Sequence, residues 1–181
     1  PHAPNQGPNG PIQHGSGAAT RETSVNEAMK QMILEMDQGV AQIRNKIVEL
    51  NLDKNTLILF FSDNGDAPQT STGSPSLRGH KGSVYKGGHR VPAIAWWPGK
   101  IEAGSITDSL AITLDVTPTI LSIAGIEATD DQRYDGIDLS PILCEQTALP
   151  ARPLYWADLS NGGRRSEAMR DVVWKLIVQH P

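Results

Sequence analysis

Five apolar residues in a row, Leu57-Ile58-Leu59-Phe60-Phe61, stop abruptly at Ser62-Asp63-Asn64-Gly65. A run this short and this apolar reads as a strand covered on both faces, the kind found in a parallel sheet. In open α/β sheets ligands sit just beyond the carboxyl ends of the strands, so Asp63 and Asn64 fall where chemistry is expected. A carboxylate beside a carboxamide offers hard oxygens to Ca²⁺ or Mg²⁺. The competing reading is an ordinary Asp-Asn-Gly turn, because all three residues are turn formers.

The surrounding pattern places this strand in an α/β domain. Residues 1–19 are rich in Pro, Gly, Asn and Gln and read as loop. Ser24 with Glu27 forms a capping box, and Val25, Met29, Met32, Ile33, Met36, Val40, Ile43 and Ile47 then recur at helical spacing, an apolar stripe expected to face a core. The helix is expected to end near Leu50, and a helix-to-strand step follows. Residues 64–92 read as a long glycine-rich loop, a length that usually signals function. Residues 93–97 read as a second strand, and its Trp96 and Trp97 as core. Residues 115–124 read as a helix with Pro118 in its first turn and Gly125 just past its end. Residues 126–152 are a connector. Segments 154–157, 166–170 and 174–178 read as strands, with Gly162-Gly163 a hairpin signal between the first two.

The loop carries a second motif, Leu77-Arg78-Gly79-His80-Lys81-Gly82-Ser83-Val84-Tyr85-Lys86-Gly87-Gly88-His89-Arg90-Val91-Pro92, and the strand after it closes on Pro98-Gly99-Lys100. A strand ending Ser-Asp-Asn-Gly, a Gly-x-Lys-Gly loop, a Gly-Gly-x-Arg-x-Pro turn and a strand ending Trp-Pro-Gly, in this order, resemble the formylglycine-dependent sulfatases of the alkaline phosphatase superfamily. Pro1-His2-Ala3-Pro4 resembles the loop that precedes the family's long helix, and Arg170 to Lys175 resembles a stretch of its C-terminal subdomain. The resemblance implies part of an alkaline-phosphatase-like mixed or parallel sheet flanked by helices, followed by the start of a small antiparallel C-terminal subdomain. Residues 1–150 would be the C-terminal part of the catalytic α/β domain and residues 151–181 the incomplete start of that subdomain.

The resemblance also implies roles. Sulfate ester hydrolysis needs a nucleophile, a cation against growing negative charge and an acid for the leaving oxygen. Asp63 and Asn64 match metal ligands, with Ca²⁺ the expected ion and Mg²⁺ the alternative. Lys81 matches the sulfate-binding lysine, and Gly79 and Gly82 would let backbone approach the anion. His2 matches a histidine that donates a proton or binds sulfate, and His80 is a secondary candidate lining the cleft. Arg90 reads as a structural ion-pair partner. Lys86 stands where the family often has glutamate, which bears on substrate preference. The nucleophile would be a formylglycine made from Cys or Ser in an N-terminal part outside this chain. Cys144 is no candidate, because its surroundings lack the Pro and Arg of the family's Cys-x-Pro-x-Arg motif.

Composition fits these expectations. The 181 residues suffice for one domain and part of a second, and a net charge of −4 gives no basic footprint for nucleic acid and no cationic face for membranes. No apolar run approaches the ~20 residues of a membrane span. The expected partner is a sulfate ester, such as a sulfated carbohydrate. The sequence itself does not fix a compartment, and the resemblance suggests a periplasmic, secreted or lysosomal one. A phosphodiesterase or phosphonate hydrolase of the same superfamily, and a non-catalytic paralogue that binds sulfated glycans, are the competing readings.

Overall fold

A computed structural model describes residues 6–7, 10–11, 20–67, 76–127, 129, 132–161 and 164–180. The chain opens with two short paired strands, β1 (Gln6–Gly7) and β2 (Gly10–Pro11), and then enters a long helix, α1 (Thr20–Glu49). The helix begins upstream of the Ser24–Glu27 pair, so the start expected there lies inside it. Its end is where the sequence puts it. Asn51 takes a left-handed φ of 56°, and the amides of Asn51 and Leu52 return to the carbonyls of Val48 and Ile47. Those bonds satisfy carbonyls that the last turn would otherwise leave bare.

The apolar stripe of α1 does not face a core among the described residues. Ala28 is buried, but Ile43 is 60% exposed and Ile33 and Met36 are also open. The helix packs on β1 and on a 3₁₀ turn at Asp53–Asn55, and neither contact is long enough to cover a stripe of this length.

Strand β3 (Ile58–Phe61) pairs with β4 (Ala93–Trp96), in register from Ile58 opposite Trp96 to Phe61 opposite Ala93. The pair is antiparallel, which corrects the parallel reading of this run. A parallel pair needs a crossover element between its strands, whereas among the described residues the connection here holds one helix, the four-residue α2 (Lys86–His89). Burial on both faces is not seen either, with Phe61 38% and Ile94 62% exposed. Trp97 is anchored by its indole N–H, which donates to Lys54 O at 2.9 Å. Helices and strands alternate through this region, and the fold is α/β.

Helix α3 (Val116–Ile123) follows a 3₁₀ turn at Thr113–Asp115, carries Pro118 in its first turn, and closes on Gly125 at φ 67°. The connector also holds a short helix, α4 (Ser140–Cys144), which the sequence reading passed over. Asp138 accepts from the Ser140 amide at 2.7 Å and from its hydroxyl, and Pro141 stands in the first turn. The Cys144 thiol is half-buried, and burial raises its pKa. Strands β5 (Pro153–Asn161), β6 (Arg164–Asp171) and β7 (Trp174–Gln179) then form an antiparallel sheet in that order.

One buried ion pair ties these parts together. The Asp115 side chain is fully buried and accepts from the amides of Ile112 (2.8 Å) and Ile137 (2.9 Å) and from both ends of the Arg152 guanidinium. Thr119, also buried, donates to Asp115 O and accepts from the Leu139 amide. Burial pushes the Asp115 pKa up, but hydrogen bonds from Arg152 and the two amides outweigh it and hold the carboxyl below its usual value. Gly136 lies against this node so closely that a Cβ there would fall 2.1 Å from Leu114 O. We predict that Arg152→Met lowers unfolding free energy by about 3–5 kcal/mol, because it strands a buried carboxylate. Urea denaturation checks this, and a midpoint unchanged from the parent would refute it.

Candidate functional site

The two glycine-rich motifs are laced together through backbone alone. The Gly65 amide donates to Gly88 O at 2.9 Å, the Lys81 amide to Asp66 O at 2.8 Å, and the Gly87 amide to Arg78 O at 2.8 Å. The chains approach so closely that a Cβ on Gly65 would sit 1.8 Å from Gly87 O. A Cβ on Gly87 would sit 2.1 Å from Gly79 O, and one on Gly88 2.1 Å from Ser83 O. The glycines at 65, 87 and 88 are therefore required by contact between backbones. Gly82 differs. It has open space where a Cβ would go and a φ of 79°, which an L side chain adopts at a penalty of about 1–2 kcal/mol.

This lacing brings the end of β3 beside the Lys81 loop. Asp63 is exposed and Asn64 half-buried, and the Asn64 amide donates to the Asp63 carboxylate. A half-turn of the carboxamide would set two oxygens side by side, a pairing that suits a hard cation. Two oxygens are only part of a shell, and no cluster of three or more His, Cys, Asp or Glu side chains able to hold a metal occurs among the described residues. Lys81 is exposed, and its ammonium has no ion pair or hydrogen bond among the described residues. His80 bends over the same turn, its Nδ1 2.8 Å from Lys81 O. Arg78 lies over the Tyr85 ring at 4.0 Å. Arg90, read from sequence as an ion-pair partner, has no such partner among the described residues. His2 lies outside the described residues.

A second cluster braces the loop from the other side, and sequence reasoning missed it. The His89 ring stacks on Trp156 of β5, with centroids 4.4 Å apart and planes at 18°. Lys175 of β7 reaches both, its Nζ 2.7 Å from His89 Nε2 and 4.9 Å from the Trp156 ring centre, and it donates to Val84 O at 2.5 Å. Desolvation and the Lys175 charge lower the His89 pKa to about 4. Burial lowers the Lys175 pKa too, helped by Lys86 and Arg170. No local pattern marks these residues, because 86 positions separate His89 from Lys175.

Comparison with known proteins gives a consistent picture. A family model described as Sulfatase matches residues 1–126, and one described as N-sulphoglucosamine sulphohydrolase, C-terminal, matches residues 80–177. N-acetylgalactosamine-6-sulfatase of Sus scrofa is 39% identical over 129 residues, 68% of this chain and 24% of that protein. Arylsulfatase A of Homo sapiens is 37% identical over 144 residues, 78% of this chain and 28% of that protein. The chain thus spans about a quarter of the length of these relatives. The crystal structure of Ps i-CgsB in complex with k-i-k-neocarrahexaose superposes with a TM-score of 0.78 at 27% identity, covering 94% of this chain and 39% of that one. A sulfatase from Pseudoalteromonas sp. shares the fold, with a TM-score of 0.63 at 24% identity over 83% of this chain and 34% of that one.

The His89 environment makes a pH prediction. A histidine held at about 4 when folded and near 6.5 when unfolded contributes its full stability above 6.5 and loses it as pH falls towards 4, since only the unfolded chain gains the proton. The melting temperature should therefore fall over that window by more in the parent than in His89→Phe, which keeps the stack but cannot titrate. Parallel melting curves for the two would contradict the assignment.

Proposed function

This chain belongs to the sulfatase family, and we propose that it is the C-terminal portion of a formylglycine-dependent enzyme that cleaves a carbohydrate sulfate ester to alcohol and sulfate. The observation that carries this reading is the backbone lacing of Gly65 to Gly88 and of Lys81 to Asp66. It supports the reading by holding the segment that carries Asp63 and Asn64 against the segment that carries Lys81, whose ammonium has no partner among the described residues.

In this reading Asp63 and Asn64 supply part of the shell of a Ca²⁺ ion, or of Mg²⁺, with the remaining oxygens coming from outside these residues. Such a cation, when bound, neutralises charge that grows on the sulfate oxygens. Lys81 directs its ammonium at a sulfate oxygen as a compact point charge. His80 lines the same opening, and His2 protonates the leaving oxygen. The nucleophile is a formylglycine in an N-terminal part, as the resemblance implies, since the surroundings of Cys144 lack the Pro and Arg of the maturation motif. Residues 1–150 then complete the catalytic domain, and residues 151–181 begin the C-terminal subdomain. A periplasmic, secreted or lysosomal setting suits a carbohydrate substrate. Among the described residues no helix is long and apolar enough to cross a membrane.

Three outcomes test this. In the longer enzyme, Lys81→Ala should lower kcat/KM for an aryl sulfate by roughly 10²–10³, the loss typical of removing one charge-stabilising donor. An unchanged kcat/KM would sink the Lys81 role, and faster turnover of the aryl phosphate would favour phosphoryl transfer instead. Chelation should abolish turnover, with Ca²⁺ restoring it in the parent and failing to do so at equal concentration in Asp63→Ala. Residues 1–181 alone should show no turnover.

A further inference from the structure

The sheet β5–β7 meets the Lys81 loop through Trp156, which stacks on His89, and through Lys175. Lys175 Nζ donates to Val84 O at 2.5 Å and contacts His89 Nε2 at 2.7 Å. An ammonium is donor only, so Nε2 faces it with its lone pair. The ring that offers this lone pair is itself fixed by stacking on Trp156. Arg170 stands directly opposite Lys175 in the strand register, and like charges so placed repel. No carboxylate bonds to Lys175 among the described residues. An apolar residue at this position would fill the space without that repulsion, so the ammonium is there for the acceptors it reaches.

Those acceptors lie just beyond Lys81 in the chain. Between Lys81 and Val84 the backbone passes through Gly82, with a left-handed φ and nothing within 4 Å of its would-be Cβ. On one side of Gly82 the Lys81 amide is held by Asp66 O, and the Ser83 hydroxyl accepts from the His80 amide across it. On the other side the hold on Val84 O comes from Lys175, with His89 Nε2 3.3 Å from the same oxygen. We infer that Lys175 is a positioning residue for Lys81, fixing the far end of its turn from the C-terminal sheet through Val84 O and the stacked His89. This rests on the sulfatase reading of Lys81.

The test uses the longer enzyme with Lys175→Met and Lys175→Arg, assayed on an aryl sulfate well below each variant's melting temperature. Amide exchange at Lys81 and Gly87 is followed in parallel. Lys175→Met should lower kcat/KM by about 10- to 100-fold, the effect of displacing a reacting contact by an ångström or so. The Lys81 and Gly87 amides should exchange at least about tenfold faster while β3 is unchanged. Lys175→Arg, which keeps a donor, should recover most of both. If Lys175→Met does not fold, Lys175→Gln, too short to reach Val84 O, carries the same readouts. A folded variant with a lowered melting temperature but unaltered kcat/KM and unaltered Lys81 exchange would show a purely structural role and overturn the inference. A parent enzyme that turns over no sulfate ester would refute the proposed function instead. The exchange comparison would then still decide whether Lys175 holds the loop.

Discussion

The order of this chain depends on a carboxylate that has no access to water. Asp115 gathers two backbone amides and a two-pronged arginine into one site, and each donor arrives from a different stretch of sequence. Arg152 stands immediately before β5, so the sheet is hung from the start of α3 by this pair. A buried charge that loses its partner is heavily penalised, whereas an apolar contact of similar area tolerates sliding. The pair therefore sets the position at which the sheet begins, and with it the position of Trp156 and everything stacked on it.

From there a continuous run of contacts reaches the candidate site. Trp156 carries His89, His89 and Val84 receive Lys175, and the segment they belong to is laced to Gly65 and Asp66. Asp63, Asn64 and Lys81 are thus held by partners far away in sequence. Two residues that carry the run, Asp115 and His89, have their pKa values moved by the contacts that do the holding.

Local elements were legible in the sequence where a local rule decides them. The strand at 58–61, the end of α1 near Leu50, Pro118 in α3 and Gly125 after it all follow from propensity and capping. What failed was anything set by the partner across a gap. The apolar run at 57–61 does not specify the direction of its neighbour, and the stripe on α1 does not specify whether a layer covers it. In β7 the alternation of Trp174, Leu176 and Val178 suggests an inward apolar face, yet Trp174 is 80% and Leu176 61% exposed, and Lys175 and Ile177 point in. The Lys175 hook reverses the usual reading of the pattern. In the site, the motif residues are visible, while His89, Trp156 and Lys175 are not, because the packing of the sheet on the loop brings them together.

The glycine lacing separates two kinds of inheritance in this loop. Where backbone touches backbone, at positions 65, 87 and 88, no side chain fits, and the sequence there has a single solution. At Lys86 the side chain is exposed, and the shape of the loop does not pass through it. Such a loop can exchange the groups it shows to a ligand by single substitutions, including a reversal of charge, while its frame stays constant. Variation among relatives should accordingly concentrate on outward positions, leaving one turn able to present different groups on the same frame.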